Sequence, residues 1–256
     1  MSRSWTAKWL HRLETVAFRA GLLDEEYIFR RYISESMAQE LAYSEVRAHW
    51  EKESSKVHGS VEPEFMKAIA EQVAKGLDLE SSDRLLSIGC GDGKVDSYLK
   101  DKVEGMCGYD FSGQKIEAAK ELNPTVTYWR QSFLEKFASP PPVGINKIYS
   151  FGVVQYCRAE DLHWFLELQV NFLRKHGGGV IGHFDVPDVD KAYLYIQKFS
   201  KETIRKYRHS FRVMPPDGSH WHDMENFRTI AKRLGVDIHI KDATTYYRSD
   251  ILIYVH

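Results

Sequence analysis

The stretch Arg84-Leu-Leu-Ser-Ile-Gly-Cys-Gly-Asp-Gly-Lys94, followed by Gly108-Tyr-Asp-Phe-Ser112, decides the fold. Arg84 to Ile88 reads as a buried strand, an apolar run bounded by turn residues. Gly89, Gly91 and Gly93 then make a tight turn, and Lys94 to Lys100 is expected to open a helix. Asp110 stands at the end of the next strand. A glycine turn lets the backbone approach a ligand closely, because no Cβ intervenes. A carboxylate at the tip of the second strand can accept hydrogen bonds from both hydroxyls of a ribose. Together these features place a nucleoside ligand at the carboxyl edge of a parallel sheet.

The glycine spacing narrows the ligand. A dinucleotide fingerprint needs G-x-G-x-x-G, with the third glycine packing the helix start against a pyrophosphate. Here the spacing is G-x-G-x-G, and Lys94 occupies the place of that third glycine. This argues against a nicotinamide-dependent oxidoreductase.

Beyond the turn the chain alternates strand and helix. Strands are expected at 84–88, 104–109, 125–130, 147–151 and 180–184, with helices at 113–122 and 159–175 between them. This β-α-β order implies an α/β fold with parallel strands and right-handed crossovers. A helix over 223–234 follows, with Asp223 as its cap and Gly235 at its stop. Strands at 236–241 and 251–255 then pair as a final antiparallel hairpin. Upstream, Glu62 to Gly76 reads as a helix with Phe65, Ile69 and Val73 on one face.

The turn, the spaced Asp110 and the closing hairpin resemble class I S-adenosylmethionine-dependent methyltransferases. The resemblance covers about residues 60–256. It implies a Rossmann-like, seven-stranded, mostly parallel sheet with helices on both faces, and S-adenosylmethionine as cofactor. It further implies that the main chain at Gly89, Gly91 and Gly93 holds the methionine part and that Asp110 binds the ribose hydroxyls. Phe111 packs on adenine or serves as a core aromatic. The family often has an acidic residue after the third strand to meet the adenine amino group. Here Gln131, Ser132 and Phe133 stand there, so the Gln131 or Ser132 side chain, or the Phe133 amide, is expected to read the adenine edge. A second departure is Ser87, where the family often has Asp or Glu. Phe151 and Gly152, ending the fourth strand, are expected beside the sulfonium, and Gln155 and Tyr156 facing the acceptor or packing the next helix. His183, at the carboxyl end of the fifth strand, is the candidate general base, since an imidazole titrates near neutral pH. The implied activity is methyl transfer to a small polar or anionic metabolite, with oxygen as the first choice of acceptor. Nitrogen methylation and a non-catalytic cofactor-binding scaffold are the alternatives.

Composition sets further bounds. The 256 residues carry a formal net charge of −1, which gives no global attraction to nucleic acid. The three cysteines, Cys90, Cys107 and Cys157, are scattered and odd in number, which argues against a disulfide framework and fits a reducing cytoplasm. Ser219-His-Trp-His-Asp223 lacks an identifiable third ligand, so no metal is expected. No apolar run approaches the roughly 18 residues of a membrane span. Residues 1–60 read as a helical extension whose Ser2 to Leu23 segment is basic and amphipathic. It is expected to pack on the domain or on a second subunit; a transit peptide or interfacial helix has the same pattern. A long insertion, about 186–218, holds the basic run Ile204-Arg-Lys-Tyr-Arg-His-Ser-Phe-Arg212. Segments placed here in the resembling family often cover the substrate, and a basic cover suits a carboxylate- or phosphate-bearing acceptor. The bland alternative is a solvated helix face.

Overall fold

The computed structural model describes residues 62–135, 144–191, 194, 220–245 and 247–256. The 1–60 extension and the basic run 204–212 lie outside the described residues. Eleven regular elements are described: helices α1 (Pro63–Leu77), α2 (Gly113–Leu122), α3 (Leu162–Lys175) and α4 (Met224–Leu234), and strands β1 (Arg84–Ile88), β2 (Gly105–Asp110), β3 (Thr127–Arg130), β4 (Lys147–Phe151), β5 (Gly179–Pro187), β6 (Asp237–Asp242) and β7 (Arg248–Val255). The strands form one sheet in the order β3-β2-β1-β4-β5-β7-β6. β1 to β5 are parallel, while β7 runs antiparallel between β5 and β6. The strand order reverses at β1, and ligands of open parallel sheets bind at that switch point.

Each face of the sheet carries its own apolar core. On one, α3 and α4 bury Phe165, Leu166, Val170 and Phe227 against Leu86, Ile88, Ile148 and Ile181. On the other, α1 and α2 bury Ile69, Val73, Ile116 and Ala119 against Leu85, Tyr149 and Phe184. The inner strands are apolar towards both faces, as parallel strands covered on both sides must be. The expected stop of α1 at Gly76 moves two residues on. The helix continues through Leu77 and ends at Asp78, whose left-handed backbone (φ 51°) donates its N–H to the Ala74 and Lys75 carbonyls. Gly76 serves helix–sheet contact instead, since a Cβ there would lie 2.5 Å from Phe184 Cε1.

The helix expected from Lys94 to Lys100 is absent. Two 3₁₀ turns, Asp96–Tyr98 and Lys100–Lys102, take its place. Local side chains compete for the helical bonds here. Ser97 Oγ donates to the Lys94 carbonyl (2.7 Å), and Asp92 Oδ1 accepts from the Lys94 amide (3.4 Å). Asp96 is wholly buried beneath the turn, where a regular amphipathic helix would turn an apolar side chain.

β5 extends past the expected Phe184 to Pro187, with an irregularity between His183 and Val186. Asp185 sits at that irregularity with φ 63°, a left-handed backbone on a non-glycine residue. Asp188 then bridges to His222, so the chain entering and leaving the intervening insertion meets beside β5. Among the described residues no helix is long and apolar enough to cross a membrane.

Candidate active site

The glycine turn is built on the end of β2. The amides of Gly89 and Cys90 both donate to the Tyr109 carbonyl (2.8 and 3.0 Å), and Gly93 N–H closes the turn on Cys90 O (3.1 Å). Gly89, Gly91 and Gly93 have φ of 66°, 57° and 73°, a region that glycine enters without cost. Their surroundings differ. A Cβ on Gly89 would sit 2.4 Å from Val153 Cγ2, and one on Gly93 would sit 2.7 Å from Asn123 Nδ2. A Cβ on Gly91 would meet nothing within 4 Å. The middle glycine therefore faces open space, as the closest approach of a ligand requires.

Asp110 ends β2 and is buried. Its Oδ2 accepts from Gly91 N–H (3.1 Å) and its Oδ1 from Ser112 N–H (2.9 Å). One carboxylate thus joins the glycine turn to the start of α2, which Ser112 caps by accepting from Lys115 N–H (3.4 Å). Burial pushes the Asp110 pKa up, and these amides with the nearby Lys115 charge pull it back. A carboxylate offers about four acceptor positions, so capacity remains for ribose hydroxyls. Phe111 is half-buried and belongs to neither apolar core cluster.

On the next strand, Gln131 is committed to its own turn. Its Oε1 accepts from Trp129 Nε1 (2.9 Å) and its Nε2 donates to Glu135 O (3.2 Å). Ser132 and Phe133 are half-buried beside it, and Phe133 meets Phe165 edge-on at 5.5 Å. Phe151 ends β4 half-buried, and the chain then turns at Gly152 (φ 65°), whose N–H donates to Phe184 O (3.1 Å).

The loop after β4 is the second half of the site. Gln155 Nε2 donates to Gly152 O (2.7 Å), and its main-chain carbonyl accepts from His220 N–H (2.6 Å). His222 Nε2 meets Val154 O at 2.9 Å, so Nε2 carries a proton and donates to that carbonyl. Burial holds the His222 pKa down at about 4. Tyr156 is buried at the end of a short 3₁₀ turn, Val154–Tyr156. Asp223 caps α4 by accepting from Glu225 N–H (2.8 Å). Among the described residues no group of three His, Cys, Asp or Glu side chains converges as a metal site.

His183 is fully buried. Its Nδ1 lies 2.8 Å from Ser150 Oγ, its ring is 5.1 Å from that of Phe165, and its Nε2 has no hydrogen-bond partner. Burial without a compensating charge lowers its pKa to about 3. The ring is neutral at pH 7.

Two polar clusters at this edge escaped the sequence reading. Asp96 lies wholly buried below the glycine turn, accepting from Tyr128 Oη (2.9 Å) and from Tyr149 Oη. Asn123 links this cluster to the turn, donating to Gly93 O (2.9 Å) and to Tyr128 Oη (3.2 Å). The cluster places a carboxylate under the turn, near the β1 position where Ser87 replaces the acidic residue of the resembling family. The second cluster pairs the buried Arg248 with Asp185 and Gln155. Asp96 gave no sequence signal, since on a helix over 94–100 it would fall on the polar flank of the Val95, Tyr98 and Leu99 face. Arg248 gave none.

No family model matches the chain. A curated protein of Schizosaccharomyces pombe, described as an uncharacterized methyltransferase, is 38% identical over 58 residues, covering 23% of this chain and 22% of that protein. The matched part thus spans about a fifth of that relative's length. Solved structures share the fold. A Leishmania major S-adenosylmethionine-dependent methyltransferase matches with a TM-score of 0.57 at 14% identity, over 83% of this chain and 82% of its own. The plantazolicin methyltransferase BamL, solved with S-adenosylhomocysteine, matches with a TM-score of 0.56 at 14% identity, over 91% and 99%. The magnesium protoporphyrin IX methyltransferase of Synechocystis, also solved with S-adenosylhomocysteine, gives 0.53 at 12%, over 84% and 94%. The chain has the class I S-adenosylmethionine-dependent methyltransferase fold.

Proposed function

We propose that this protein is an S-adenosylmethionine-dependent methyltransferase acting on a small polar or anionic acceptor, with oxygen as the receiving atom. The observation that carries this reading is the joint of Asp110 and Gly91. A buried carboxylate at the β2 tip is bonded to the one turn glycine that faces open space. The residues present fit the cofactor. Gly89, Gly91 and Gly93 supply a main-chain cradle, Asp110 an acceptor for ribose hydroxyls, Phe111 a face for adenine, and Ser132 with the Phe133 amide an adenine edge. Phe151 lines the sulfonium end. When bound, the sulfonium supplies an activated methyl group.

The protein's task is then to hold the acceptor in line with the methyl–sulfur bond and keep water away. Positioning of this kind supplies up to about 7–11 kcal/mol of barrier lowering in favourable cases. In the transfer, the acceptor oxygen forms the new bond to carbon as the carbon–sulfur bond breaks, and a hydroxyl acceptor gives up its proton. His183 is the candidate for taking that proton, with Tyr156 as a side chain facing the acceptor. A group with a pKa near 3 is a weak base at pH 7. Positioning therefore carries most of the rate in this proposal, with His183 as a buried, neutral hydrogen-bonding partner of Ser150. The division into a 1–60 extension and a 61–256 catalytic domain belongs to the same proposal.

The test is calorimetric titration with S-adenosylmethionine and S-adenosylhomocysteine, with NAD as control. Micromolar binding of the sulfur ligands, lost in Asp110→Ala and absent for NAD, supports the reading. A folded protein that binds neither sulfur ligand refutes it.

A further inference from the structure

Arg248 opens β7 opposite Pro187 of β5, which places it at the sheet edge that also carries the glycine turn. It is 2% exposed. Its hydrogen bonds leave from one nitrogen. Nη1 donates to Gln155 Oε1 (2.9 Å) and Asp185 O (2.8 Å), and pairs with Asp185 Oδ2 (3.1 Å). Nε is buried and has no hydrogen-bond partner. The guanidinium is planar, so Nε–H and an Nη2–H point side by side along one edge. On that edge Nε–H carries no bond, although the group is almost wholly withdrawn from water.

Leaving a buried donor unpaired is costly, and more so when it belongs to a charge. The ion pair with Asp185 does not require it, since Nη1 alone makes that contact. An arginine edge of this kind matches the two oxygens of a carboxylate in a bidentate pair. The surroundings are arranged to hold it still. Cζ stands 5.3 Å from the centroid of the Tyr247 ring, and Asp185 is fixed at φ 63° by donating its N–H to Asp250 Oδ1 (3.0 Å). The neighbouring acids are already engaged. Asp185 balances the guanidinium, while Asp250 accepts from Gln72 and the Asp185 amide and has its pKa pushed up by burial.

The location ties this edge to methyl transfer. Gln155, which receives Nη1, also fixes the turn at Gly152. Val153 of the same loop packs where a Cβ on Gly89 would stand. One short loop therefore has the glycine turn on one side and Arg248 on the other. We infer that the Nε–Nη2 edge of Arg248 binds a carboxylate of the methyl acceptor and so sets which acceptors the enzyme takes. This rests on the methyltransferase reading above.

The experiment uses the full chain, ¹⁵N-labelled and saturated with S-adenosylhomocysteine, with the Arg248 Nε–H resonance assigned by its loss in Arg248→Lys. Benzoate is titrated in, with benzamide and inorganic phosphate as the other arms at constant ionic strength. The expected result is a saturable downfield shift of that resonance with benzoate and none with benzamide. In Arg248→Lys, benzoate affinity read from neighbouring amides falls at least tenfold, while S-adenosylhomocysteine affinity stays within about threefold and so reports an intact fold. A response to phosphate alone, or to no oxyanion while S-adenosylhomocysteine is bound, overturns the inference; the latter result means that water satisfies the edge. Failure of S-adenosylhomocysteine itself to bind would instead sink the methyltransferase reading, so the two failures are separate.

Discussion

Replacing Asp96 by Asn should remove a pH-dependent penalty from the fold. Asp96 is wholly buried, and burial raises its pKa from 3.8 to about 6 despite the donors Tyr149 and Tyr128. For a carboxyl group whose folded pKa exceeds its unfolded value, the folded state holds the proton more tightly between those two pKa values. Stability is then greatest below the unfolded pKa, falls as pH rises through the window, and levels off above the folded pKa. Two pKa units correspond to about 3 kcal/mol in total. Most of the upper half of that change, about 1–2 kcal/mol, falls between about pH 5 and pH 7.5. The Asn variant lacks the titration. Urea unfolding of both proteins at several pH values measures it, because the stability difference isolates this group from Asp110 and Asp250, whose burial gives slopes of the same sign. The difference should move in the variant's favour by about 1–2 kcal/mol as pH rises from about 5 to 7.5. Loss of the charge-assisted bonds from the two tyrosines shifts the baseline, not the slope. Parallel curves would show that Asp96 keeps an ordinary carboxylate pKa and that the tyrosines fully offset its burial.

Three further outcomes follow from the same geometry. Gly91→Ala should fold, losing about 1–2 kcal/mol to its left-handed backbone, yet bind S-adenosylhomocysteine at least tenfold more weakly, because its Cβ enters the open space; unchanged affinity in calorimetry would move the cofactor away from this turn. Gly93→Ala should lose more stability, about 2–4 kcal/mol, because the same backbone strain adds to contacts at 2.7 Å with Asn123 and 3.1 Å with Ala119. His183 and His222, with pKa values lowered to about 3 and about 4, must take up protons on unfolding once pH drops below about 6.5. Both therefore contribute stability that is present above about pH 6.5 and is lost as pH falls towards their folded values. Their ring ¹⁵N shifts should stay those of neutral imidazole down to about pH 5, and a His183 titration near pH 6.5 would restore it as a competent general base.

The glycine turn, Asp110 and the alternation of strands and helices were legible because each is local. Three glycines and one acid at fixed spacing define a turn and a strand tip whatever packs around them, and alternating strands and helices leave few topologies. The segment after Gly93 was not legible in the same way. Lys94 to Lys100 has the length and polarity of a helix start, but the structure spends Asp96 on tyrosines from β3 and β4, 32 and 53 positions along the chain. No periodicity within the segment encodes those partners. Arg248 is a sharper case. It lies between a loop and an apolar strand and looks like an ordinary solvent-facing arginine; it is buried and paired only because β7 inserts beside β5 and brings Asp185 and Gln155 to it. The same insertion explains Asp185, whose left-handed backbone is tolerated because its amide finds Asp250 one strand away.

The loop Gly152–Tyr156 is where the two legible halves meet the illegible one. Its first residue is fixed by β5 through Phe184 O, its Val153 fills the space left by Gly89, and its Gln155 is held by Arg248. His220 and His222, from the far end of the insertion, bond to the carbonyls of Gln155 and Val154. A displacement of this loop cannot remain local, because Gly152 (φ 65°) and the close approach to Gly89 leave it no slack towards the cofactor side. If the proposed function holds, these packed contacts are the route by which the cofactor side and the acceptor side would be coupled. Arg248→Lys makes this coupling measurable: if the loop transmits it, the variant should weaken acceptor binding more with S-adenosylhomocysteine bound than without. Equal losses in the two states would mean that Arg248 and the glycine turn act on their ligands independently, and that Gln155 is only a structural brace.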